Sequence, residues 1–325
     1  MLLASARSSF ASATVSGCDT QTSAIAEGKL RLDQVHDWLE EVEGWGEQHV
    51  YLYEVPDEIL ADSRWQSPEA LRACLPGKQQ KLWNPQKLLS FPANPTLTGI
   101  FNEPDSLQYV WHSGYEVWQK APERDYQDTI EGELYKFLAF RQRQDRKVRR
   151  FVLRKDLRLA GIFLQTEWSE KENGEAIAEI KKTVTPVIPF DKLRQISMLH
   201  VIKQLDQLDL EAHGKTVQSQ KTRLADAGAY VEFASTTEAG YMDSAEVRRV
   251  RNSVRADSAM IGANGTFVYP SKTPTGLDRP VKFDVFGEQR RVKLRSQLTA
   301  SDVWALLSLL KQAEGRNSAT AGAAS

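Results

Sequence analysis

The chain has 325 residues, of which 41% are hydrophobic, 26% charged and 9% aromatic, a balance that excludes collagen-like, wholly disordered and disulfide-scaffold classes. Lys plus Arg (42) nearly cancel Asp plus Glu (43), so the net charge of −1 names no partner and the local charge pattern must be read for one. No apolar run approaches the roughly 18 residues of a membrane-spanning helix, and the two cysteines, Cys18 and Cys74, suit a reducing compartment such as the cytoplasm.

The first 24 residues carry one Arg, no acid before Asp19 and many small residues, and read as a loose tail or an organellar targeting segment. Leu30, Leu32, Val35, Trp38, Leu39 and Val42 recur at helical spacing up to Gly44, and Val50-Tyr51-Leu52-Tyr53 reads as a strand closed by Pro56. Ser67-Pro68-Glu69 places a cap before a first-turn proline and opens a helix that Pro76-Gly77 ends. Thr96–Phe101, Leu107–Trp111 and Tyr115–Gln119 are strand-like, and His112-Ser113-Gly114 reads as a hairpin loop. Six of the eight tryptophans lie between Trp38 and Trp118, and read as core residues and cross-strand pairs of an aromatic-rich hairpin, with an aromatic binding surface as the alternative.

From Glu131 to Phe140 apolar residues fall at helical spacing, and Val148–Leu153 and Leu159–Thr166 read as strands. A turn at Lys171-Glu172-Asn173-Gly174 leads into an expected third strand, Ala176–Ile188. An amphipathic helix is expected over about Asp191–Leu210, with Leu193, Ile196, Leu199, Ile202, Leu205 and Leu208 on one stripe. The last third predicts a strand near Tyr230–Phe233, a basic helix from Ser244 to about Ala256, a strand at Thr266–Tyr269 and a hairpin of Val281–Phe286 with Arg290–Leu294. A leucine-rich helix begun by Thr299 or Ser301 closes the fold, and the residues after Ala313 are too poor in large apolar side chains to pack. The predicted class is α+β: an N-terminal α+β domain over 25–122, then a basic α+β domain over 130–313 with a mixed or antiparallel sheet and amphipathic helices. Residues 1–24 and 314–325 are expected as tails.

Nucleotide-binding loops are excluded by spacing. Gly214-Lys215-Thr216 ends like a phosphate loop, but Asp209 stands where its first glycine belongs, and Gly44-Trp45-Gly46 has no third glycine and leads into a strand. His36, His49, His112, His200 and His213 have no zinc-ligand spacing among themselves or with the cysteines.

Charge is more informative. From Asp33 to Asp62 the chain carries ten acids and no Lys or Arg. From Lys136 to Arg158 it carries ten bases, Lys136, Arg141, Arg143, Arg146, Lys147, Arg149, Arg150, Arg154, Lys155 and Arg158, against Asp145 and Asp156. Two further basic runs follow, Arg248, Arg249, Arg251 and Arg255 on the expected helix, and Arg290, Arg291, Lys293 and Arg295 at the final hairpin. The forked guanidinium suits phosphate oxygens, so convergence of the three runs would make a track for a nucleic-acid backbone.

This predicts a non-enzymatic subunit of a larger assembly or homo-oligomer that binds nucleic acid or an acidic protein surface, without a cofactor. A scaffold whose acidic and basic blocks join copies or partners is the other binding reading. The order Glu133, Asp156, Glu179, Lys181 resembles that of metal-dependent nucleases of the PD-(D/E)XK kind. That resemblance implies carboxylates converging on Mg²⁺, with Lys181 orienting the attacking water. The sequence departs from the pattern at Lys155, which stands where that family has proline.

Overall fold

The computed structural model describes residues 31, 41, 44–85, 91–165, 169–207, 216–224, 230–234, 245–247, 249–250, 253, 260–269, 277, 279–295 and 298–321. The expected helix over 30–42, Cys18 and most of the expected basic helix over 244–256 lie outside them. The elements, in order, are β1 (Gln48–Glu54), α1 (Asp57–Leu60), α2 (Pro68–Ala73), α3 (Gly77–Gln80), β2 (Thr96–Asn102), β3 (Ser106–Lys120), β4 (Tyr126–Ile130), β5 (Glu133–Phe137), β6 (Phe140–Arg154) and β7 (Leu159–Gln165). Then come α4 (Glu170–Val184), β8 (Arg194–Gln195), α5 (Met198–Gln207), β9 (Thr216–Leu224), β10 (Tyr230–Ala234), β11 (Met260–Tyr269), β12 (Val281–Phe286), β13 (Arg291–Leu294) and α6 (Ala300–Ala321).

The class is α+β. One eleven-stranded sheet runs β10-β9-β11-β12-β13-β1-β7-β6-β3-β2, with β8 also on β1, and all its named pairings are antiparallel. The strand period of two sends alternate side chains to opposite faces. Val50 and Leu52 of β1 join Phe163, Phe283, Val292 and the apolar stripes of α5 and α6 in one core. Tyr51 and Tyr53 join Tyr109, Trp111, Phe151, Ile162 and α4 in the other. The sheet is thus covered by helices on both faces, and β1 is buried along nearly its whole length.

Several expectations differ from the structure. His112-Ser113-Gly114 is no loop: it lies inside β3, where His112 and Ser113 are buried and paired to Val148 and Lys147 of β6. Glu131–Phe140 is not helical: Glu131 (φ 54°) and Gly132 (φ 85°) form the left-handed two-residue turn that joins β4 to β5. Ala176–Ile188 is not a strand. A capping box between Ser169 and Glu172 starts α4, and Asn173, Ala176, Ile180 and Val184 are buried at helical spacing. The long helix over 191–210 is shorter, because Pro189 and a 3₁₀ turn at Phe190–Lys192 hold Leu193 and Ile196 in extended chain, and α5 begins at Met198. The closing segment also differs: α6 continues to Ala321, and Glu314 is buried. The segment 122–130, expected as a division between domains, holds a 3₁₀ turn (Pro122–Arg124) and β4, while strands from both sides of it share the sheet, β1 beside β7 and β3 beside β6. Residues 44–325 cluster as one unit. No described helix is long and apolar enough to cross a membrane.

Candidate interaction surface

β6 carries most of the central basic run, and its alternation divides that run between two surfaces. Even-numbered bases lie with α5 and α6: the guanidinium carbon of Arg150 stands 5.3 Å from the Trp45 ring centroid, that of Arg154 stands 5.6 Å from Trp304, and that of Arg146 stands 5.8 Å from Phe91. Arg141, Arg143, Lys147 and Arg149 belong to the α4 face, where the Lys147 Nζ lies 4.7 Å from the Tyr115 ring and Arg149 pairs with Glu179 at 3.1 Å. Arg146, Arg149 and Arg150 are buried, so they stiffen the base of the sheet and present no continuous phosphate track. Burial, with Arg146 and Arg150 nearby, holds His112 neutral by lowering its pKa to about 4, and its Nδ1 lies 2.6 Å from the Thr98 Oγ1.

Of the six acids of this block among the described residues, four are paired with bases of the same chain. Glu47 meets Lys293 at 3.0 Å, Glu54 meets Arg194 at 2.6 Å, Asp57 meets Arg158 at 2.7 Å and Asp62 meets Arg64 at 2.7 Å. Hydrogen bonds from the Arg64 side chain and backbone pull the Asp62 carboxyl down to about 2.

The bases of the last hairpin are similarly placed. Arg248, Arg251 and Arg255 lie outside the described residues, and Arg249 is exposed. Arg290 is exposed at the β12–β13 turn with φ 51°. Arg291 lies 3.7 Å from Glu170 and 5.1 Å from the Phe286 ring, on the same strand face as Lys293. Lys293 stands opposite buried His49, whose pKa burial and these two cations lower to about 4.

The structure does not bring the nuclease-like residues together. Glu133 is on β5, and Asp156 in the β6–β7 turn is held by Arg154 through two hydrogen bonds of 2.9 and 2.6 Å. Glu179 and Lys181 share α4, but two residues apart on a helix they diverge: Glu179 turns to Arg149, while the Lys181 Nζ lies 5.7 and 5.2 Å from the Tyr53 and Phe190 rings. Among the described residues no group of three or more His, Cys, Asp or Glu side chains could hold a metal ion.

A different surface emerges from the sheet register. β2 follows β3 only to His112, and β7 follows β6 only to Arg149. Beyond that point β3 and β6 pair with each other alone, out to Lys120 and Phe140, with one extra backbone bond from the Gly114 N–H to the Pro92 carbonyl at 2.6 Å. Beyond His112, eight further residues per strand, Ser113–Lys120 and Phe140–Lys147, extend this ribbon by roughly 26 Å at about 3.3 Å per residue. The β4–β5 hairpin continues the excursion, tied at its neck by hydrogen bonds from the Ala121 N–H to the Ala139 carbonyl and from the Ala139 N–H to the Asp125 Oδ1, both 2.9 Å.

Among the described residues, this arm carries most of the exposed large apolar side chains. Of nine exposed large hydrophobic side chains among the described residues, seven are Trp118, Tyr126, Ile130, Leu134, Tyr135, Leu138 and Phe140. Its faces are distinct. On the hairpin, register places Tyr126, Asp128, Ile130, Glu133, Tyr135 and Phe137 together, with Tyr126 and Phe137 stacked at 4.8 Å, and Gln127, Thr129, Leu134 and Lys136 opposite. On the ribbon, Trp118, Lys120 and Phe140 share one face with Glu116, Gln142 and Gln144, while Arg141 and Arg143 share the other with Val117. The helical reading of Glu131–Phe140 hid this surface; the alternation of Tyr126, Asp128 and Ile130 before Glu131-Gly132 was the signal for a hairpin.

No family model matches this sequence, and no curated protein matches it.

Proposed function

We propose that this protein is an assembly subunit that engages a protein partner through the β3–β6 ribbon and its β4–β5 hairpin. One observation carries the reading: among the described residues, seven of the nine exposed large hydrophobic side chains sit on this single excursion from the sheet. Exposed apolar patches of several hundred Å² on a folded chain are characteristic of interaction sites, and aromatic side chains supply most interface energy. Charge favours protein over nucleic acid as the occupant. The hairpin carries Asp128, Glu131 and Glu133 against Lys136, which repels a phosphate backbone, and the most concentrated arginines of β6 are buried in the sheet. Arg141, Arg143 and Lys120 are the arm's contribution to the nucleic-acid reading, and the same experiment weighs it.

A photo-crosslinking amino acid at Leu134, the most exposed of the seven at 70%, is expected to give a discrete protein adduct that disappears in a Tyr126→Ala/Tyr135→Ala background. The same probe at exposed Glu69 of α2 serves as the control. Adducts equal at both positions, or a nucleic-acid adduct in place of protein, would overturn the reading.

A further inference from the structure

We infer that the β4–β5 hairpin receives a basic protein segment, which lays arginine side chains on the face bearing Tyr126, Asp128, Ile130, Glu133, Tyr135 and Phe137. This rests on the proposed reading of the arm as an interaction element and names the chemistry of its partner.

The register sets this face out in three cross-strand rows: Tyr126 opposite Phe137, Asp128 opposite Tyr135, and Ile130 opposite Glu133. The two carboxylates are therefore diagonal neighbours, about 7–8 Å apart, in the rows that follow the stacked Tyr126–Phe137 pair. Tyr126, Ile130 and Tyr135 are 58, 43 and 44% exposed, and Asp128 and Glu133 are exposed beside them. Each carboxylate accepts one hydrogen bond from a neutral donor, Asp128 from the Thr129 backbone N–H at 2.8 Å and Glu133 from the Tyr135 hydroxyl at 3.2 Å. Among the described residues neither has a cation within ion-pair distance, in contrast to Glu47, Glu54, Asp57 and Asp62. The hairpin's one base, Lys136, lies on the opposite face with Gln127, Thr129 and Leu134.

Because acids and rings share the same rows, a partner that covers the rings covers the carboxylates as well. An apolar partner strips water from two unpaired charges, which costs more than the apolar contact returns. A phosphate backbone, or the same face of a second copy, sets like charge against like. A cationic segment gains from both components of the face: the guanidinium fork pairs with a carboxylate in its own plane and lays its flat side on a neighbouring ring. Side chains at i and i+2 of an extended chain repeat about every 6.6 Å, close to the carboxylate separation, so one segment with arginine at alternate positions reaches Asp128 and Glu133 together.

The test uses the full chain and two fluorescent probes, a short peptide alternating Arg and Leu and its counterpart with Glu in place of Arg. Fluorescence anisotropy is expected to show binding of the Arg peptide that weakens with salt, and no binding of the Glu peptide at the same concentrations. Asp128→Asn/Glu133→Gln keeps the shape of the face and is expected to weaken the Arg peptide about tenfold with an unchanged circular dichroism spectrum. Tyr126→Ala/Tyr135→Ala is expected to weaken it comparably. Glu58→Gln/Glu69→Gln removes the same charge from exposed positions of α1 and α2 and is expected to leave binding as it is in the parent. Failure of the Arg peptide to bind, equal binding of the two peptides, or an Asp128/Glu133 variant that loses no more than the Glu58/Glu69 control overturns the basic occupant. In each of these cases a protein adduct at Leu134 would leave the broader reading of the arm standing, and only loss of that adduct would remove it.

Discussion

Glu314 gives the most stringent test of how the closing helix is held. Its side chain is 5% exposed, and its carboxylate accepts two hydrogen bonds from Arg194, both 2.8 Å, and one from the Ser197 backbone N–H, also 2.8 Å. Arg194 simultaneously binds Glu54 of β1 at 2.9 and 2.6 Å, so one guanidinium ties α6 to the central strand. Hydrogen bonds to a charged group contribute about 1.5–3 kcal/mol, and an orphaned buried N–H costs about 1–3 kcal/mol. Arg194 is half exposed and keeps Glu54 when Glu314 is removed, so the loss stays below that of a fully buried pair. We expect Glu314→Ala to cost about 3 kcal/mol and Glu314→Gln about half as much, since the amide oxygen can still accept from Ser197. Urea titration at pH 7 followed by tryptophan fluorescence reads both values, and at roughly 2–3 °C per kcal/mol the Ala variant should melt about 6–9 °C lower. An Ala variant within 0.5 kcal/mol of the parent, or a Gln variant as damaged as the Ala, would refute this account of the helix anchor.

Three further expectations follow from the packing. His49 and His112 have folded pKa values of about 4 against 6.5 unfolded. Below pH 6.5 the unfolded chain takes up protons that the folded chain refuses, so stability falls between pH 6.5 and 4 by up to about 3 kcal/mol per histidine. The His49→Gln/His112→Gln variant should show a flatter profile in chemical denaturation across that range; an identical slope would count against it. Neutralising Arg146, Arg149 and Arg150 with Gln should lower stability by about 2–4 kcal/mol, since buried charge and cation–π partners are lost, and gel-shift affinity for nucleic acid should change no more than stability does. Gly132→Ala strains a turn residue at φ 85° by about 1 kcal/mol, and hydrogen exchange should quicken in 126–137 while β1 amides stay unchanged; a loss of protection throughout the sheet would show that the hairpin is part of the core.

Elements with self-contained local signals were legible from sequence. The cap of α2 is Ser67, which accepts from the Ala70 N–H at 3.1 Å, and Thr299 does the same for Asp302 at the start of α6. The β12–β13 hairpin likewise follows from its strand-forming residues on either side of a short turn. The misread elements had competing local signals resolved only by tertiary contact. Asn173-Gly174 has the composition of a turn, yet it sits in α4 because Asn173 and Ala176 face the sheet and Gly174 is exposed. Leu134, Tyr135, Phe137 and Leu138 satisfy helical spacing equally well, and only pairing of Glu133–Phe137 with Tyr126–Ile130 decides for strand. The charge pattern was visible, but its geometry was not: ten bases close in sequence read as one patch only if they share a face, and a strand sends neighbours to opposite faces.

The position of β1 in the sheet constrains how the chain reaches its fold. This early strand pairs on one side with β7 and on the other with β13, so Val50 meets Phe163 and Val292. During synthesis from the N-terminus, one edge of β1 is left without its final neighbour until the last hairpin has emerged. A chain stopped before residue 281 would present an apolar, unpaired edge along the middle of its own sheet. Such an edge is a template for strand addition by other molecules. Completion of the C-terminal hairpin and α6 therefore acts as the closing step of the whole architecture, and nascent chains halted short of it are the population most exposed to chaperones and to aggregation.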